Sequence, residues 1–429
     1  MAPYESWGRF IASHPSSVVP LRWRDSLPPL SEGPYLAYGK GRSYGDSCLN
    51  NGGTLLDAAP LSRLIDFDRQ RGIIHCEAGL TLDALLNVIV PTGWFVPVTP
   101  GTKFVTIGGC IANDVHGKNH HRAGTFGRHI VSLTLVRSDG NQLHCTPNEN
   151  AELFAATIGG LGLTGVITTA EITLKSIASS DIDQEQIAFT SLEEWDALSG
   201  ESDASHEYTV SWFDASRSPT RGVLFRGNHA AEGKGHAQRP SVSLPLRPFS
   251  IFLQPASMRL FNEAYFWANA RRRGVHRVGF DPFFYPLDAL ANWNELYGKR
   301  GFVQYQCVIP TAAGLAPVTE LLARIREVQS FLTVLKRFGS LPSPGMMSFP
   351  KEGVTVALDF PVGGPRLMPL LDDLDRLVAK AGGAVYPAKD ARMSGESFKR
   401  FFPQWEAFAR YIDPRFSSSF WRRVAYSGP

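Results

Sequence analysis

Hydrophobic and polar positions along the chain follow two patterns, one typical of strands and one typical of helices. Between residues 54 and 175, the short apolar runs TLLDAA and GIIHCEAG have the composition of strands, and HIVSLTLVRSDGNQLHCT predicts a hairpin that turns at Asp139-Gly140. Apolar residues of TLDALLNVIV recur at helical spacing, and a β-prone run closes the region after the glycine cluster TIGGLGLTG. Strands mixed with one or two helices predict an α+β domain.

The C-terminal third of the chain shows the same two patterns. GFVQYQCVIP and GVTVALDFPV predict buried strands, and APVTELLARIREVQSFL and PLLDDLDRLVAKAGG predict amphipathic helices. With 429 residues, of which 43% are hydrophobic, the chain can bury more than one core. Two domains are therefore predicted.

Composition and charge narrow the class of protein. A formal net charge of +3 and 19% charged residues are not typical of a nucleic-acid-binding protein. The N-terminus has no basic-then-apolar segment and no run approaches about 18 apolar residues, so neither a signal peptide nor a membrane span is predicted. The five cysteines are scattered without CxxC spacing, so neither a disulfide framework nor a zinc site is predicted, and a reducing, cytoplasmic compartment is expected.

The segment from Ala215 to Phe280, here called the basic segment, departs from the nearly balanced charge of the whole chain. It holds ten arginines and one lysine against two acidic residues, a net charge of +9, and it includes Arg271, Arg272 and Arg273. Apolar residues and prolines lie between the charges, as in LPLRPFSIFLQPASMRLF. This mixture predicts mobile loops that contact an anionic, apolar surface such as a membrane face, with an ordinary solvated surface as the alternative.

Two glycine-rich stretches carry the strongest signal of chemistry. In AYGKGRSYGDS, residues 37–47, three glycines alternate with Lys40, Arg42 and Ser43, as a loop requires when its backbone approaches a phosphate. The Rossmann fingerprint requires a helix directly after the glycines, whereas here the turn-rich DSCLNNGG follows. The Walker motif does not fit either, because no GK[ST] follows the glycines.

The second glycine-rich stretch is PGTKFVTIGGCIANDVHGKNHHRAGTFG, residues 100–127. Gly108 and Gly109 allow backbone amides to approach a diphosphate, and the small residues Ala112 and Gly117 leave room for a flat ring system. Two such loops, about 60 residues apart, predict a site that holds one extended dinucleotide between them.

Some polar side chains also fit a purely structural role on the residue pattern alone. His116, His120 and His121 have no fourth ligand at metal-binding spacing, so no metal site is predicted. Gln304 and Gln306 fit a half-buried strand whose two amides face solvent.

The order of motifs along the chain resembles one family of enzymes. GRSYGD, LTLDALL, PGT, TIGG, DVHGKNHH, TIGGLGLTG, WFDA, QYQ, FP and AKDAR follow one another from about Tyr38 to Pro414. In this set the chain resembles the vanillyl-alcohol-oxidase superfamily of FAD enzymes, and within it the decaprenylphosphoryl-β-D-ribose 2′-oxidase family. The resemblance implies an α+β fold of two domains. An FAD-binding domain of the PCMH type would occupy residues 1–179 and 384–429, and a substrate-binding domain with an antiparallel sheet would occupy residues 180–383.

The resemblance also implies which residues bind the cofactor, FAD. These are Gly41, Arg42, Ser43, Tyr44, Gly45, Pro100, Gly101, Thr106, Gly108, Gly109, Asn113, His116, Gly117, Val166 and Tyr386. In several oxidases of the superfamily a histidine of the first loop is bonded covalently to the flavin, whereas this chain has Tyr44 in that neighbourhood. Because a phenol does not form that linkage, non-covalent FAD is expected.

The implied substrate pocket suits a phosphorylated sugar, since glutamines bind hydroxyls, aromatic rings cover a ring face and lysines bind phosphate. Its residues are Lys118, Trp212, Tyr285, Gln304, Gln306, Lys336, Phe338 and Lys389, and the implied catalytic residues are Lys389, Tyr44 and His116. On the residue pattern alone, Lys336 and Lys389 would be surface lysines, and Trp212 would fit the core equally well. The cysteine that mycobacterial members have near the flavin is replaced by Ala357, which leaves the expected alcohol oxidation intact.

The implied reaction is oxidation of the C2 hydroxyl of a polyprenylphosphoryl-β-D-ribose to the 2-keto sugar, in the synthesis of bacterial cell-envelope arabinan. The implied partners are an NADH-dependent short-chain reductase that completes the epimerisation, and quinone or oxygen as electron acceptor. Peripheral contact with the inner membrane is expected, and nucleic acid is not. Two alternatives stay open: a sugar-lactone or alditol oxidase of the same superfamily that acts on a small soluble polyol, and a flavin-binding scaffold protein without turnover.

Overall fold

The computed structural model describes residues 4–30, 32–233, 235, 255–328, 330 and 332–426. The prediction of loops throughout the basic segment is wrong, because Gly222–His229 and His276–Val278 are strands that pair with Ile182–Phe189, and Pro255–Ala270 is a helix. Residues 236–254, in the middle of the basic segment, lie outside the described residues. The strands, in chain order, are β1 (Ser17–Pro20), β2 (Tyr35–Tyr38), β3 (Thr54–Asp57), β4 (Leu64–Asp68), β5 (Ile73–Glu77), β6 (Trp94–Phe95), β7 (Ile130–Val136), β8 (Gln142–Cys145), β9 (Val166–Thr173), β10 (Lys175–Ser176), β11 (Ile182–Phe189), β12 (Tyr208–Phe213), β13 (Gly222–His229), β14 (His276–Val278), β15 (Phe302–Pro310), β16 (Thr333–Phe338), β17 (Gly353–Pro361) and β18 (Ala384–Val385). The α-helices are α1 (Leu82–Ile89), α2 (Ile107–Ala112), α3 (His120–Ala123), α4 (Ala151–Thr157), α5 (Leu192–Ser205), α6 (Pro255–Ala270), α7 (Phe280–Phe284), α8 (Ala316–Ile325), α9 (Leu367–Lys380), α10 (Gly395–Phe401), α11 (Trp405–Ala409) and α12 (Ser419–Ala425).

The strands form two large antiparallel sheets and two small ones. The five-stranded sheet has the order β4-β5-β9-β7-β8, and the eight-stranded sheet has the order β14-β11-β13-β12-β16-β17-β15-β18. A parallel sheet, β1-β3-β2, and the pair β10-β6 complete the set among the described residues. The five-stranded sheet ends at Thr173 and the eight-stranded sheet begins at Ile182. The predicted α+β fold with an antiparallel sheet in its second half is confirmed, while the exact domain bounds stay a prediction.

Most predicted elements are present, with one clear exception. The hairpin β7–β8, the helix α1 and the strands β15 and β17 lie where the sequence pattern predicts them. The helix predicted for residues 316–332 is wrong at its C-terminal end, because α8 stops at Ile325, a 3-10 turn covers Arg326–Val328, and the next strand, β16, begins at Thr333. The register explains the difference, since β16 pairs with both β12 and β17 and fills the middle of the eight-stranded sheet.

The alternation of side chains along β15 connects the core to the site. Val303, Tyr305 and Cys307 belong to the core cluster that also contains the buried stripe of helix α9. That stripe consists of Leu367, Leu371, Leu374 and Val378, at the spacing of one helical face. Because successive residues of a strand point to opposite faces, Gln304 and Gln306 are directed away from this core.

The C-terminal segment packs against the first glycine-rich loop. The amide of Tyr44 donates to the carbonyl oxygen of Ala388 at 2.8 Å. The Arg423 guanidinium of α12 contacts the carboxylates of Asp46, at 2.7 Å, and of Asp390, at 2.9 Å. Residues more than 340 positions apart in the chain therefore form one side of the same site.

Candidate active site

A cavity of about 760 Å³ lies between the glycine-rich loops and the eight-stranded sheet. The loops and turns contribute Gly39, Gly41, Gly101, Gly108, Gly109, Gly117, Gly162 and Gly165 to its lining. The sheet contributes Gln184, Ser211, Trp212, Gln304, Gln306, Lys336 and Ala357. Phe261 and Tyr265 of α6, and Arg272 just beyond it, also line the cavity. Its lining thus combines bare backbone, polar side chains and aromatic side chains of a helix.

The first glycine-rich loop offers hydrogen-bond donors to this cavity. Gly41 has φ +59°, and a Cβ there would lie 2.1 Å from the hydroxyl oxygen of Tyr38, so only glycine fits. In the described part of the chain, the backbone amides of residues 40–43 donate to no protein acceptor. The Arg42 guanidinium carbon lies 4.0 Å from the centroid of the Trp7 ring, and burial lowers the pKa of Arg42. Its Nε is buried and has no protein partner among these residues.

The second glycine-rich loop is held rigid around bare backbone. The hydroxyl of Thr106 accepts from the Gly109 amide at 3.1 Å and thereby caps helix α2. The Asn113 side-chain amide donates to the Gly109 carbonyl at 2.8 Å, and the Tyr386 hydroxyl donates to the Asn113 carbonyl at 2.8 Å. A Cβ at Gly101 would meet nothing within 4 Å, so the backbone there lies open to the cavity.

These two loops meet the requirements of an FAD site. Buried donors without protein acceptors cost free energy unless a ligand pairs with them, and the diphosphate of FAD is such an acceptor. The buried Nε of Arg42 is such a donor, and the amides of residues 40–43 add donors that have no protein acceptor in the described part of the chain. At Gly117 a Cβ would lie 2.9 Å from the Thr99 carbonyl oxygen, so a residue with a side chain does not fit there without a shift of the backbone.

Most of the predicted site residues line the cavity, and their roles stay predictions. They are Gly41, Arg42, Ser43, Tyr44, Pro100, Gly101, Thr106, Gly108, Gly109, Asn113, His116, Gly117, Lys118, Trp212, Gln304, Gln306, Lys336, Tyr386 and Lys389. The Trp212 ring packs against Tyr265, with ring centroids 4.8 Å apart. Trp212 is thus both well packed and part of the cavity lining.

Four predicted residues are not part of the lining: Gly45, Val166, Tyr285 and Phe338. The backbone of Gly45 lies against Asp390, where a Cβ would come within 1.6 Å of the carbonyl oxygen. Val166 is fully buried in a cluster with Phe416. Gly45 therefore packs the first glycine-rich loop against the C-terminal segment, and Val166 is part of the core.

Tyr285 and Phe338 each contact a residue that does line the cavity. The Tyr285 hydroxyl oxygen lies 2.7 Å from the hydroxyl oxygen of Thr99. The Phe338 ring lies edge-on to the His116 ring, with centroids 4.8 Å apart. Contact with substrate through either side chain is therefore indirect in this geometry.

Three lysines are half-buried in the cavity wall rather than on the outer surface. Burial lowers the pKa of Lys118 to about 7, and burial together with the neighbouring lysines lowers that of Lys336 to about 7. Lys389 Nζ lies 3.6 Å from the centroid of the Tyr44 ring, and burial lowers its pKa as well. Lys118 Nζ donates to the carbonyl oxygen of Phe283. The surface alternative for Lys336 and Lys389 is wrong.

The two glutamines of β15 are buried, with 7% and 4% of their surfaces exposed. Gln304 Nε2 donates to a carboxylate oxygen of Asp359, and Gln306 Nε2 lies 3.0 Å from His116 Nε2. The solvent-facing alternative for these glutamines is wrong, because this face of the eight-stranded sheet lines the cavity.

His116 lies at the centre of the polar groups in the cavity wall. Its Nδ1 is 3.1 Å from Lys336 Nζ, and its ring packs near Phe338 and Tyr386. Burial lowers the pKa of His116 well below its ordinary value. The imidazole is therefore neutral at physiological pH.

The neighbouring histidines are engaged in structural hydrogen bonds. His120 Nδ1 accepts from the Gly339 amide at 3.2 Å, and His121 Nε2 lies 3.0 Å from the His206 carbonyl oxygen. No group of three or more His, Cys, Asp or Glu side chains within the described ranges is arranged to hold a metal ion. All five cysteines are free thiols.

Two polar residues of β17 were missed by sequence reasoning. Asp359 is fully buried opposite Gln304, and burial raises its pKa. Thr355 is buried next to Gln306, and its hydroxyl donates to the Cys307 carbonyl at 2.9 Å. The signal in the sequence is a lone carboxylate within the apolar strand GVTVALDFPV, which is unusual unless the carboxylate has partners.

Comparison with known proteins identifies the family. Residues 31–146, which hold both glycine-rich loops, match the FAD binding domain family. The decaprenylphosphoryl-beta-D-ribose oxidase of Mycolicibacterium smegmatis is 36% identical over 413 residues, which cover 91% of this chain and 88% of that protein. The chain belongs to the decaprenylphosphoryl-β-D-ribose oxidase family.

Two other relatives are similar over different shares of this chain. An uncharacterised protein of Streptomyces coelicolor is 33% identical over 373 residues, or 80% of this chain and 100% of that protein. The D-arabinono-1,4-lactone oxidase of Yarrowia lipolytica is 31% identical over 224 residues, but these cover only 51% of this chain and 39% of that protein. As a member of the decaprenylphosphoryl-β-D-ribose oxidase family with an FAD binding domain, the chain is an FAD-dependent oxidoreductase that acts on a CH–OH group.

Proposed function

We propose that this enzyme oxidises the C2 hydroxyl of a polyprenylphosphoryl-β-D-ribose to the 2-keto sugar. One observation carries the proposal: the same cavity is lined by the FAD loops, by three lysines and by Phe261 and Tyr265 of helix α6. Such a cavity suits a substrate with a sugar, a phosphate and an apolar chain. The mycobacterial relative is named as an oxidase of decaprenylphosphoryl-ribose.

The charge of the pocket favours an anionic substrate. Lys118 is buried, and no carboxylate in the described part of the chain lowers the cost of its charge. A substrate phosphate would supply the missing counterion and would raise the pKa of Lys118 back toward its ordinary value. Gln304 and Gln306 supply groups that bind sugar hydroxyls, and Trp212 supplies an aromatic wall.

Oxidation of an alcohol removes a hydride from carbon and a proton from oxygen. FAD, when bound between the glycine-rich loops, supplies the hydride acceptor. The hydroxyl proton must be accepted by a base near the same carbon. Lys389 lies beside Tyr44 in the part of the cavity lining that FAD and the substrate would share. A neutral Lys389 takes the hydroxyl proton, whereas a charged Lys389 orients the substrate and stabilises negative charge; a conservative substitution separates the two roles.

Helix α6 supports peripheral contact with an anionic membrane face. Leu260, Phe261 and Trp267 are exposed large apolar side chains on this helix. The exposed residues Arg271, Arg272 and Arg273 follow directly. Phe261 and Arg272 line the cavity as well, so the surface that would contact lipid is continuous with the pocket that would receive it. None of the helices in the described ranges has the length and apolar character of a membrane span.

The proposed reaction implies further partners. A polyprenyl substrate belongs at a membrane surface, which fits a cytoplasmic enzyme bound peripherally to the inner membrane. Quinone or oxygen would reoxidise the flavin, and an NADH-dependent short-chain reductase would reduce the 2-keto sugar to the arabinose epimer. The membrane contact, the electron acceptor and the reductase all follow from the chemistry of the proposed substrate.

Anaerobic reduction of the flavin tests the proposed function. Farnesylphosphoryl-β-D-ribose should bleach the absorbance band of oxidised FAD, whereas free alditols and sugar lactones at the same concentration should not. Faster bleaching by a free polyol would favour the alternative of a lactone or alditol oxidase. The partial match to the yeast lactone oxidase is the observation that supports this alternative. Absence of bleaching by every alcohol would favour the scaffold without turnover.

A further inference from the structure

Five residues form a chain of hydrogen bonds behind the cavity wall. The Thr355 hydroxyl contacts the Cys307 carbonyl oxygen at 2.9 Å and Gln306 Nε2 at 3.3 Å. Gln306 Nε2 lies 3.0 Å from His116 Nε2, and His116 Nδ1 lies 3.1 Å from Lys336 Nζ. Each of these groups has a limited number of hydrogens, so the direction of every bond can be worked out from the carbonyl end.

The carbonyl end fixes the orientation of the Gln306 amide. The Cys307 carbonyl oxygen can only accept, so the single hydroxyl hydrogen of Thr355 is directed at it. The Thr355 oxygen must therefore accept from Gln306, which requires the NH₂ group at this end of the amide. A flipped amide would set two acceptor oxygens against each other within a buried site.

The amide orientation fixes the tautomer of His116. Gln306 donates to His116 Nε2, so that nitrogen carries no hydrogen. A neutral imidazole has one N–H, which must then be on Nδ1, the nitrogen that lies 3.1 Å from Lys336 Nζ. An ammonium has three donors and no acceptor, so it would oppose this N–H, whereas a neutral amine has a lone pair that accepts it.

We propose that Thr355 is a positioning residue that, through Gln306 and His116, holds Lys336 in the cavity wall as a neutral amine. The lone pair of Lys336 accepts from His116 Nδ1, and one amine hydrogen is donated to the Gly117 carbonyl oxygen at 3.1 Å. The second amine hydrogen is left for a substrate oxygen. Lys336 thus acts as an uncharged donor and not as the base, because its lone pair is occupied.

The surroundings of Lys336 agree with a neutral amine. The titratable groups that face it are His116, His120, Lys118 and Lys389, all of which are neutral or cationic. Charge on Lys118 or Lys389 opposes a further positive charge on Lys336. The phosphate of the proposed substrate is then left to Lys118 and Lys389, a refinement that rests on the proposed function; the hydrogen-bond chain itself does not.

The tautomer of His116 can be measured without turnover. In FAD-loaded enzyme labelled with ¹⁵N-histidine, long-range ¹H–¹⁵N spectra distinguish protonated from bare ring nitrogens, and loss of one signal set in His116→Asn assigns His116. We expect Nδ1 protonated and Nε2 bare between pH 7.5 and 9, a range above the pKa of about 7 for Lys336. A His116 with its proton on Nε2 in the wild-type enzyme overturns the proposal, whatever the substrate proves to be.

A pair of substitutions isolates the role of Thr355. Thr355→Val keeps the shape but removes the acceptor, so the Gln306 amide can flip, the proton of His116 moves to Nε2, and bare Nδ1 then stabilises a charged Lys336. Competitive acetylation with mass spectrometry should show the pKa of Lys336 raised by about one unit, the size of one hydrogen bond to a charged group. Thr355→Ser retains the hydroxyl and should match the wild type in both measurements. An unchanged tautomer in Thr355→Val would show that Thr355 does not position the chain, and if this variant does not fold, the wild-type tautomer still decides the proposal.

Discussion

Lys389 is the residue whose replacement tests the chemistry most directly. Lys389→Ala should keep FAD bound, because the unpaired donors of the first loop are untouched, yet lose flavin reduction by substrate on the order of 10²- to 10⁴-fold. Anaerobic stopped-flow absorbance measures the rate, and the ratio of flavin to protein absorbance measures FAD content. Lys380→Ala, at an exposed position at the end of α9, serves as the control.

Lys389→Arg tests whether Lys389 acts as a base or through its positive charge. Arginine keeps the charge and is not deprotonated in proteins, so it preserves an electrostatic role but not a base. Since burial lowers the pKa of Lys389, a base role also predicts that the wild-type rate rises with pH through that lowered pKa, and a charged role predicts that the rate falls. Reduction at the wild-type rate in Lys389→Ala would remove Lys389 from the reaction altogether.

Tyr44 bears on how FAD is held. Its ring packs against Lys389 and Phe302, and this tyrosine stands where the resemblance would place a flavin-linked histidine. Precipitation with acid should therefore release all the flavin into the supernatant, as measured by its absorbance there and in the resuspended pellet. Flavin that remains with the washed pellet would contradict non-covalent binding, and Tyr44→Phe should behave as the wild type.

For single residues, the sequence motifs identify most of the cavity lining but not its hydrogen-bond partners. GRSYGD and DVHGKNHH contain residues whose types suggest their chemistry, and those residues line the cavity. Asp359 and Thr355 stand singly in an apolar strand, where a residue type alone does not indicate a site. Only the register of β15 against β17 brings Asp359 opposite Gln304.

The first glycine-rich loop depends as an element on the backbone of Gly41. Gly41→Ala combines a positive φ with a Cβ within 2.1 Å of the Tyr38 hydroxyl, so the loop must shift and its amides leave the diphosphate site. We expect FAD affinity to fall at least about tenfold, the cost of one lost hydrogen bond to a charged group. Fluorescence titration of the apoprotein with FAD measures it.

Gly52→Ala is the matched control for this loop. Gly52 also has a positive φ, +74°, but a Cβ there would meet nothing within 4 Å. The substitution should cost about 1 kcal/mol of folding stability through backbone strain alone and leave FAD affinity unchanged. Equal FAD affinity in both variants would show that the loop at Gly41 does not bind the cofactor.

The end of helix α6 should contribute to membrane binding through its charge. Replacing Arg271, Arg272 and Arg273 with serine removes about 1 kcal/mol of attraction per residue near an anionic surface, and salt screens this attraction. Sedimentation with vesicles of anionic lipid should fall strongly at low salt and little at high salt. A triple serine variant of Arg22, Arg69 and Arg410, which are exposed and lie outside α6, is the control. Unchanged sedimentation of the first variant would make the basic segment an ordinary solvated surface.

Element prediction succeeded where one period dominated the pattern and failed where the fold overrode it. Helix α1 and the hairpin β7–β8 have clear periods and local turn signals. The residues before β16 continue the apolar pattern of α8, so nothing local ends the helix at Ile325. Pairing of β16 with two neighbouring strands is a long-range effect that the pattern does not contain.

For the whole molecule, FAD should act as a link between the two halves of the fold. The cavity is lined by the glycine-rich loops and by the eight-stranded sheet together, so a bound cofactor stabilises both. At a hundredfold excess over its Kd, FAD should add about 2.7 kcal/mol to the free energy of unfolding. Urea unfolding followed by circular dichroism measures the change.

Riboflavin is the matched ligand for this measurement, because it has the flavin ring but neither diphosphate nor adenine. At the same concentration it should stabilise the protein much less than FAD, since the donors at residues 40–43 and Arg42 stay unpaired. Equal stabilisation by both ligands would mean that the glycine-rich loops do not bind a diphosphate.

The packing of the C-terminal segment behind the first glycine-rich loop also sets when FAD can be acquired during protein synthesis. Tyr386, Ala388 and Lys389 line the cavity, and the Ala388 carbonyl holds the Tyr44 amide. A nascent chain that ends before residue 386 therefore lacks one wall of the site, although both glycine-rich loops left the ribosome long before. We therefore expect tight binding of FAD only after residues 386–389 have left the ribosome, when the chain is nearly complete.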